Sequence, residues 1–391
     1  MQFHNVMSIC PVNETNMVRI WNKHKQSNIP LKKKVFVGLS GGVDSSVSAA
    51  LLIEQGYDVV GVFIKVWQPD FLPCSWKQER IDATRVAARL GIPFISLDLA
   101  EEYKKSVADY MIKEYKRGQT PNPDVMCNQT IKFGAFFEWA RARGADFVAT
   151  GHYARNVFNK KNNLYELHVG NDTEKDQSYF LWTLKQKQLK HILFPIGDYK
   201  KTQVRVLAKK FKLFTSDKKD SQGLCFVGKL NMKDFLKNFL PEKRGEVLNE
   251  KGEKIGYHDG ACFYTIGQRH GFIIEKKTPK DTPYYVVDKN IKKNTLSVSH
   301  KNKQHIALEK KEIKLQNINW ISGNISSLDT FLDIPLMTRI RYRQPLQQCV
   351  IKQYFNEKKV VFNKPQIVVS GQSAVFYQNS LCLGGGVVKG L

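Results

Sequence analysis

Cysteine is scarce in this chain of 391 residues: there are seven, an odd number, and no C-x-x-C spacing occurs. That argues against a disulfide-stapled secreted framework and against a cysteine-rich zinc or iron–sulfur site. Long apolar runs are missing as well. No stretch approaches the roughly 18 apolar residues that a membrane helix needs, which excludes an integral membrane protein of that kind. The first residues also lack the apolar core of a secretory signal, so a cytoplasmic location is expected. Acidic residues are in short supply: Asp+Glu number 36 against 61 Lys+Arg, a net charge of +25. The excess grows along the chain, from 26 basic and 19 acidic residues in 35–215 to 29 and 16 in 216–391. Such a balance suits docking on a polyanion, although 47 of the 61 basic residues are Lys, as a lysine-favouring composition alone would give. What is present is ordinary for a globular protein, with 42% hydrophobic and 25% charged residues, and the length allows roughly two or three domains.

Strand and helix signals alternate in the first half. Val35–Leu39, Asp58–Trp67, Phe94–Leu97 and Asp146–Thr150 read as buried strands. Between them, helical patterns cover about 46–55, 78–90, 101–116 and 132–143. This order predicts an open parallel sheet flanked by helices, with ligands off the carboxyl ends of its strands. Residues 216–282 read as an irregular, Gly-rich central domain. From 283 to 391, short β runs separated by turn residues predict a β-barrel. Residues 1–33 form a polar, mildly basic extension, and 34–215 the α/β domain.

The sharpest motif is Ser40-Gly41-Gly42-Val43-Asp44-Ser45-Ser46, between a strand and a helix. Glycines let the backbone expose consecutive N–H groups, and the helix that follows adds its positive end, so the loop is suited to phosphate. It is not a Walker loop, because no G-K-[ST] follows. Asp44 would repel phosphates unless magnesium lay between them, so it implies the metal. A Gly/Ser helix cap without a ligand is the plainer alternative. Two cysteines also stand in chemically suggestive places. Cys127 follows a Pro-stiffened loop and precedes an expected helix start, where the dipole favours thiolate. Cys225 lies in a Gly-flanked loop. Cys10, Cys262, Cys349 and Cys382 read as ordinary thiols.

With these residues in view, the chain resembles the bacterial tRNA-specific 2-thiouridylases, within the adenine nucleotide alpha-hydrolase-like group. Thr120-Pro121-Asn122-Pro123-Asp124 leading to Cys127-Asn128 carries the likeness, with Gly151-His152-Tyr153, Lys175-Asp176-Gln177 and Lys219 through Phe226. Gly267-Gln268-Arg269, Arg341-Tyr342-Arg343-Gln344 and Gly371 through Tyr377 continue it, in order, from about Lys34 to Gly386. The resemblance implies ATP-dependent replacement of the 2-oxygen of the tRNA wobble uridine by sulfur, through an adenylate. It makes Cys127 the nucleophile and Cys225 the persulfide carrier, either paired as a disulfide or cooperating in transfer. Gly38, Leu39, Ser40, Gly41, Gly42, Val43, Asp44, Ser45, Ile64 and Gly151 would bind ATP, with magnesium at Asp44. Asn122, Pro123 and Asp124 would meet the target base. His152, Lys175, Asp176, Gln177, Arg341, Tyr342 and Gln372 would contact tRNA. The implied partners are tRNA and a sulfur-relay protein fed by a cysteine desulfurase. Two competitors remain at this stage: another ATP-pyrophosphatase-type ligase or amidotransferase, and a non-catalytic RNA-binding protein with a vestigial loop.

Overall fold

The computed structural model describes residues 32–72, 76–220, 231–275, 282–300, 309–323, 331–355 and 357–390. Cys225 and most of the N-terminal extension lie outside them. Among the described residues the strands form three sheets.

The first sheet takes strands β1 (Lys34–Gly38), β2 (Asp58–Lys65), β3 (Phe94–Asp98), β4 (Phe147–Ala149) and β7 (Ile192–Leu193) in the order β3-β2-β1-β4-β7, all parallel. Its central strand is apolar on both faces. Phe36 packs on one side with Val60, Val62 and Ile64, while Val35 and Val37 pack on the other with Val59 and Phe63. Burial on both faces is why these strands read as continuous β-branched runs. Helix α1 (Val43–Glu54) follows β1, and α2 (Trp76–Leu90) follows β2. The chain winds from β1 outward to β3, then returns to place β4 on the other side of β1. The switch point between β1 and β4 is where such sheets open a crevice for ligands, and both Gly38–Ser45 and Gly151 fall there.

Helix α3 spans 100–116 and helix α4 spans 123–142; each contains a π-helical stretch, Lys104–Ala108 and Cys127–Ala135. A wider π turn inside an α-helix is unusual and is most often found at functional sites. Helix α5 (Lys201–Lys210) packs its Val204 and Ala208 with Val43 and Val47 of α1.

The central domain is more regular than its composition suggested. Strands β8 (Gly245–Leu248), β9 (Lys254–His258), β10 (Ile273–Ile274), β11 (Tyr284–Asn290) and β12 (Thr295–His300) form one sheet in the order β10-β9-β8-β12-β11. This corrects the boundary expected at 283. β11 and β12 look like barrel strands in sequence, but β12 pairs in parallel with β8, Thr295 opposite Glu246, and buries Leu296 and Val298 beside Val247.

The C-terminal barrel is antiparallel. It contains β13 (Glu309–Ile313), β14 (Leu315–Trp320), β15 (Leu336–Arg339), β16 (Gln347–Tyr354), β17 (Glu357–Ile367), β18 (Ser373–Gln378) and β19 (Leu381–Val388). One residue, Lys314, separates β13 from β14, yet β13 pairs with β17 and β14 with β19. A single extended segment therefore hydrogen-bonds both edges and closes the barrel, which removes the exposed edges of an open sheet. A hairpin of the first domain, β5 (Ala154–Asn159) and β6 (Leu164–Val169), joins the same sheet through Leu381 opposite His168.

Candidate active site

The loop after β1 is folded so tightly that side chains are excluded from it. Gly41 has φ +71°, and a Cβ there would stand 2.7 Å from the Glu79 carbonyl oxygen and 2.9 Å from Asp82 Cβ. A Cβ on Gly151, from the neighbouring strand end, would stand 2.7 Å from the Ser45 nitrogen. Both positions thus require glycine for close backbone approach. The serine hydroxyls turn to the loop itself: Ser45 and Ser46 Oγ both donate to the Gly42 carbonyl, at 3.2 and 2.7 Å.

Charge balance at Asp44 comes from far along the chain. Tyr153 Oη donates to Asp44 Oδ1 at 2.7 Å, and Lys201 Nζ lies 2.8 Å from both carboxylate oxygens. Lys201 also reaches Asp220 Oδ1 at 2.9 Å. Asp220 accepts further bonds from Lys175 Nζ (2.8 Å) and Arg205 Nη2 (3.0 Å). Burial alone would raise the Asp220 pKa, but Lys175 and Lys201 outweigh it and hold the carboxyl down at about 2. Beside Gly41, Lys218 Nζ donates to its carbonyl (3.0 Å) and to Asp82 Oδ2 (2.6 Å).

Cys127 lies on the other wall. Asn122 caps α4, accepting from the Val125 N–H at 3.2 Å, and Pro123 occupies the first turn. Because that cap and proline start the helix early, Cys127 sits one turn inside it rather than ahead of it, and is 1% exposed. It shares a core cluster with Ile64, and Phe136 of the same helix is the nearest neighbour of a Cβ built on Gly38. The end of β1 and the helix that carries Cys127 therefore pack together, through Gly38 and Phe136.

The segment before Asn122 is held by all three domains. Thr120 N–H donates to the Ser370 carbonyl (2.9 Å), Gln372 Nε2 to the Thr120 carbonyl (2.7 Å), and the Thr120 hydroxyl meets that of Thr265 (3.3 Å). Gly371, at φ +91°, has no room for a Cβ beyond 3.0 Å from Thr120.

Three family models match the chain consecutively: a tRNA methyl transferase HUP domain over 33–229, a tRNA methyl transferase PRC-barrel domain over 233–300, and an aminomethyltransferase beta-barrel domain over 310–388. A tRNA-specific 2-thiouridylase MnmA of Francisella philomiragia is 45% identical over 360 residues, which is 91% of this chain and 99% of its own length. The chain belongs to the tRNA-specific 2-thiouridylase family. A second member, from Francisella tularensis subsp. novicida, is 44% identical with the same coverage.

Not every position expected from the 2-thiouridylase likeness lies open to a ligand. His152 is 5% exposed, between the rings of Phe133 and Phe194, with Nδ1 2.7 Å from the Thr150 hydroxyl. Its place is in the core, not on an RNA-facing surface. Asp176 is likewise buried, accepting from the N–H groups of Gly170 and Ser178 and pairing with Arg339. Gln177 accepts from the Tyr153 N–H, and Lys175 is engaged with Asp220. Arg341 and Tyr342 are half-buried: Tyr342 stacks near Phe180, ring centres 4.4 Å apart. Arg341 Nη2 is buried without a hydrogen-bond partner among the described residues. Lys201, Arg205 and Lys218, which complete the charge balance here, belong to none of the sequence motifs. A signal existed for Lys201: a lysine at the first residue of a helix stands against the dipole and needs a compensating anion.

Proposed function

We propose that this 2-thiouridylase-family chain carries out ATP-dependent 2-thiolation of the tRNA wobble uridine, by adenylation of the 2-oxygen and sulfur transfer from a cysteine persulfide. The observation that carries the reading is the juxtaposition of a phosphate-type loop and the Cys127 helix at the switch point of the sheet, with the Asn122 segment braced by all three domains. A carbonyl oxygen is a poor leaving group, so the reaction needs both an activating nucleotide and a sulfur nucleophile, and the two walls supply one each. A methyl-transfer reading, which two of the domain descriptions would suggest, has no use for such a loop.

The loop fits ATP on its own geometry: glycine backbone at the β1–α1 turn, the α1 N-terminus, and Lys201 and Lys218 alongside. Gly38 to Ser45 and Gly151 would hold the phosphates, and Ile64 would line the adenine side. Asp44 fits magnesium because it offers two carboxylate oxygens to a cation already, and oxygen donors are what that ion takes. Bound there, magnesium would offset phosphate charge. Asn122, Pro123 and Asp124 would present the target base toward Cys127, with Arg341 and Tyr342 at the RNA. Cys225, outside the described residues, would bring the persulfide, loaded by a sulfur-relay protein fed by a cysteine desulfurase. We place the reaction in the cytoplasm; no helix among the described residues is long and apolar enough to cross a membrane.

The test is a reaction of purified protein with magnesium–ATP, unmodified tRNA and a sulfide source or relay protein, with nucleosides analysed by mass. Sulfur at C2 of the wobble uridine, dependent on ATP and lost in Cys127→Ser, is the expected result. AMP and pyrophosphate without any thiolated nucleoside, even with the relay protein present, would overturn the substrate assignment.

A further inference from the structure

The loop between β1 and α1, taken with the first turn of α1, contains no cation, and its one ionisable residue, Asp44 in that turn, has the sign of a phosphate. A triphosphate brought there needs positive charge from elsewhere in the chain. Lys201 is the residue in position to give it. Its side chain is 12% exposed, its Nζ touches both Asp44 oxygens, and the ammonium lies 5.8 Å from the centre of the Tyr153 ring. A buried ammonium must be paired, and here two carboxylates compete for it: Asp44 in the loop and Asp220, 2.9 Å away. Helix stability does not explain the placement, since a cation at the first residue of α5 opposes the dipole. Asp220 has other partners in Lys175 and Arg205. It can therefore surrender Lys201 without being left unpaired.

We propose that Lys201 is the phosphate-binding cation of this loop, and that Asp220 is the resident anion which an incoming nucleoside triphosphate displaces from it. The inference rests on the ATP reading above and deepens it. When the triphosphate arrives, Lys201 exchanges a carboxylate for phosphate oxygens, and Asp220 stays held by Lys175 and Arg205 alone. Because linkage is reciprocal, whatever strengthens the hold of Asp220 on Lys201 weakens nucleotide binding by the same factor. Asp220 stands five residues before Cys225 in the sequence.

Equilibrium binding of ATP and of adenosine to the full-length chain, with and without magnesium, separates the possibilities. Lys201→Met should weaken ATP roughly tenfold to a hundredfold, the size of a lost charge-assisted bond, and leave adenosine binding unchanged. Lys201→Arg should keep part of the ATP affinity. Asp220→Asn should act in the opposite direction and tighten ATP several-fold, because it frees Lys201. Retained adenosine binding in each variant shows that the site is folded. Should adenosine binding fail in Asp220→Asn, Lys201→Met and Lys201→Arg still decide the matter. Lys201→Met that binds ATP like the wild type, or that loses ATP and adenosine together, overturns the proposal. So does a folded Asp220→Asn that binds ATP more weakly. A wild-type chain that binds neither ligand overturns the nucleotide reading itself, a result distinct from any of these.

Discussion

His152 shows how much a single residue's surroundings decide. In sequence it follows a strand end in Gly151-His152-Tyr153, a position where a polar ring could meet a ligand, and the fold instead packs it between Phe133 and Phe194. Burial first, and then the nearby Lys132 charge, push its pKa well below the usual 6.5. The unfolded chain takes up a proton at this histidine near pH 6.5, and the folded chain does not. The stability it contributes is therefore complete above about pH 6.5 and is lost as the pH falls below that, by about 1.4 kcal/mol per pH unit until its folded pKa is reached. Denaturant unfolding at pH 7.5, 6.5 and 5.5 should show the wild type losing stability faster than His152→Gln across the lower interval. Parallel decline in the two proteins would show that the buried ring accepts a proton without penalty. The same lesson applies to Asp44, whose charge in sequence calls for magnesium and in the fold is met by Lys201, 157 residues away.

At the scale of elements, the Thr120–Asp124 segment depends on parts of the chain that sequence does not bring together. Gln372 was expected at the tRNA, but its side chain runs under this segment, donating to the Thr120 and Pro121 carbonyls at 2.7 and 3.4 Å. Gln372→Ala leaves those carbonyls without that donor, and should lower kcat for thiolation several-fold at saturating tRNA, with ATP binding unchanged. A direct phosphate contact would behave otherwise, raising KM for tRNA with kcat preserved, so steady-state kinetics at varied tRNA distinguishes the two. The parallel sheet was legible because its inner strands β1 and β2 are buried on both faces and so appear as uninterrupted apolar runs, Val35–Val37 and Val59–Ile64. The central sheet was not, because β8 to β10 are short and interrupted by Gly245 and Gly256, which sit where backbones cross closely. β11 and β12 were visible as strands, but their partners were not, since pairing between β12 and β8 joins residues about fifty apart. The phosphate loop and Cys127 could be read locally. Lys201 and Lys218 act through tertiary contacts, and only the mismatch of Lys201 with its helix dipole marked either of them in advance; Gln372 was marked by its motif, but not for the contact it makes.

Across the whole molecule, the net charge of +25 has two separable components. Around the nucleotide loop the cations are matched, Lys201 with Asp44 and Asp220, Arg205 and Lys175 with Asp220, and Lys218 with Asp82. The unmatched excess is greatest in residues 216–391, which form the central sheet and the barrel. Both of these meet the Thr120–Asp124 segment at Thr120, through Thr265 and through Ser370 and Gln372. On the proposed placement of the target base at Asn122, the RNA would lie against these basic domains, and long-range attraction to phosphate should supply much of its affinity. If about five phosphates are neutralised, tRNA affinity should fall by roughly a hundredfold to five-hundredfold between 50 and 200 mM salt, as released counterions make binding steeply salt-dependent. ATP binding should respond more weakly over the same range, because the partly buried cations that serve it are screened less. Filter binding of tRNA and titration of ATP on one preparation would compare the two slopes. A tRNA slope no steeper than that of ATP would mean that the excess lysine is compositional. Recognition would then rest on the shape of the three-domain junction and on Arg341 and Tyr342 beside it.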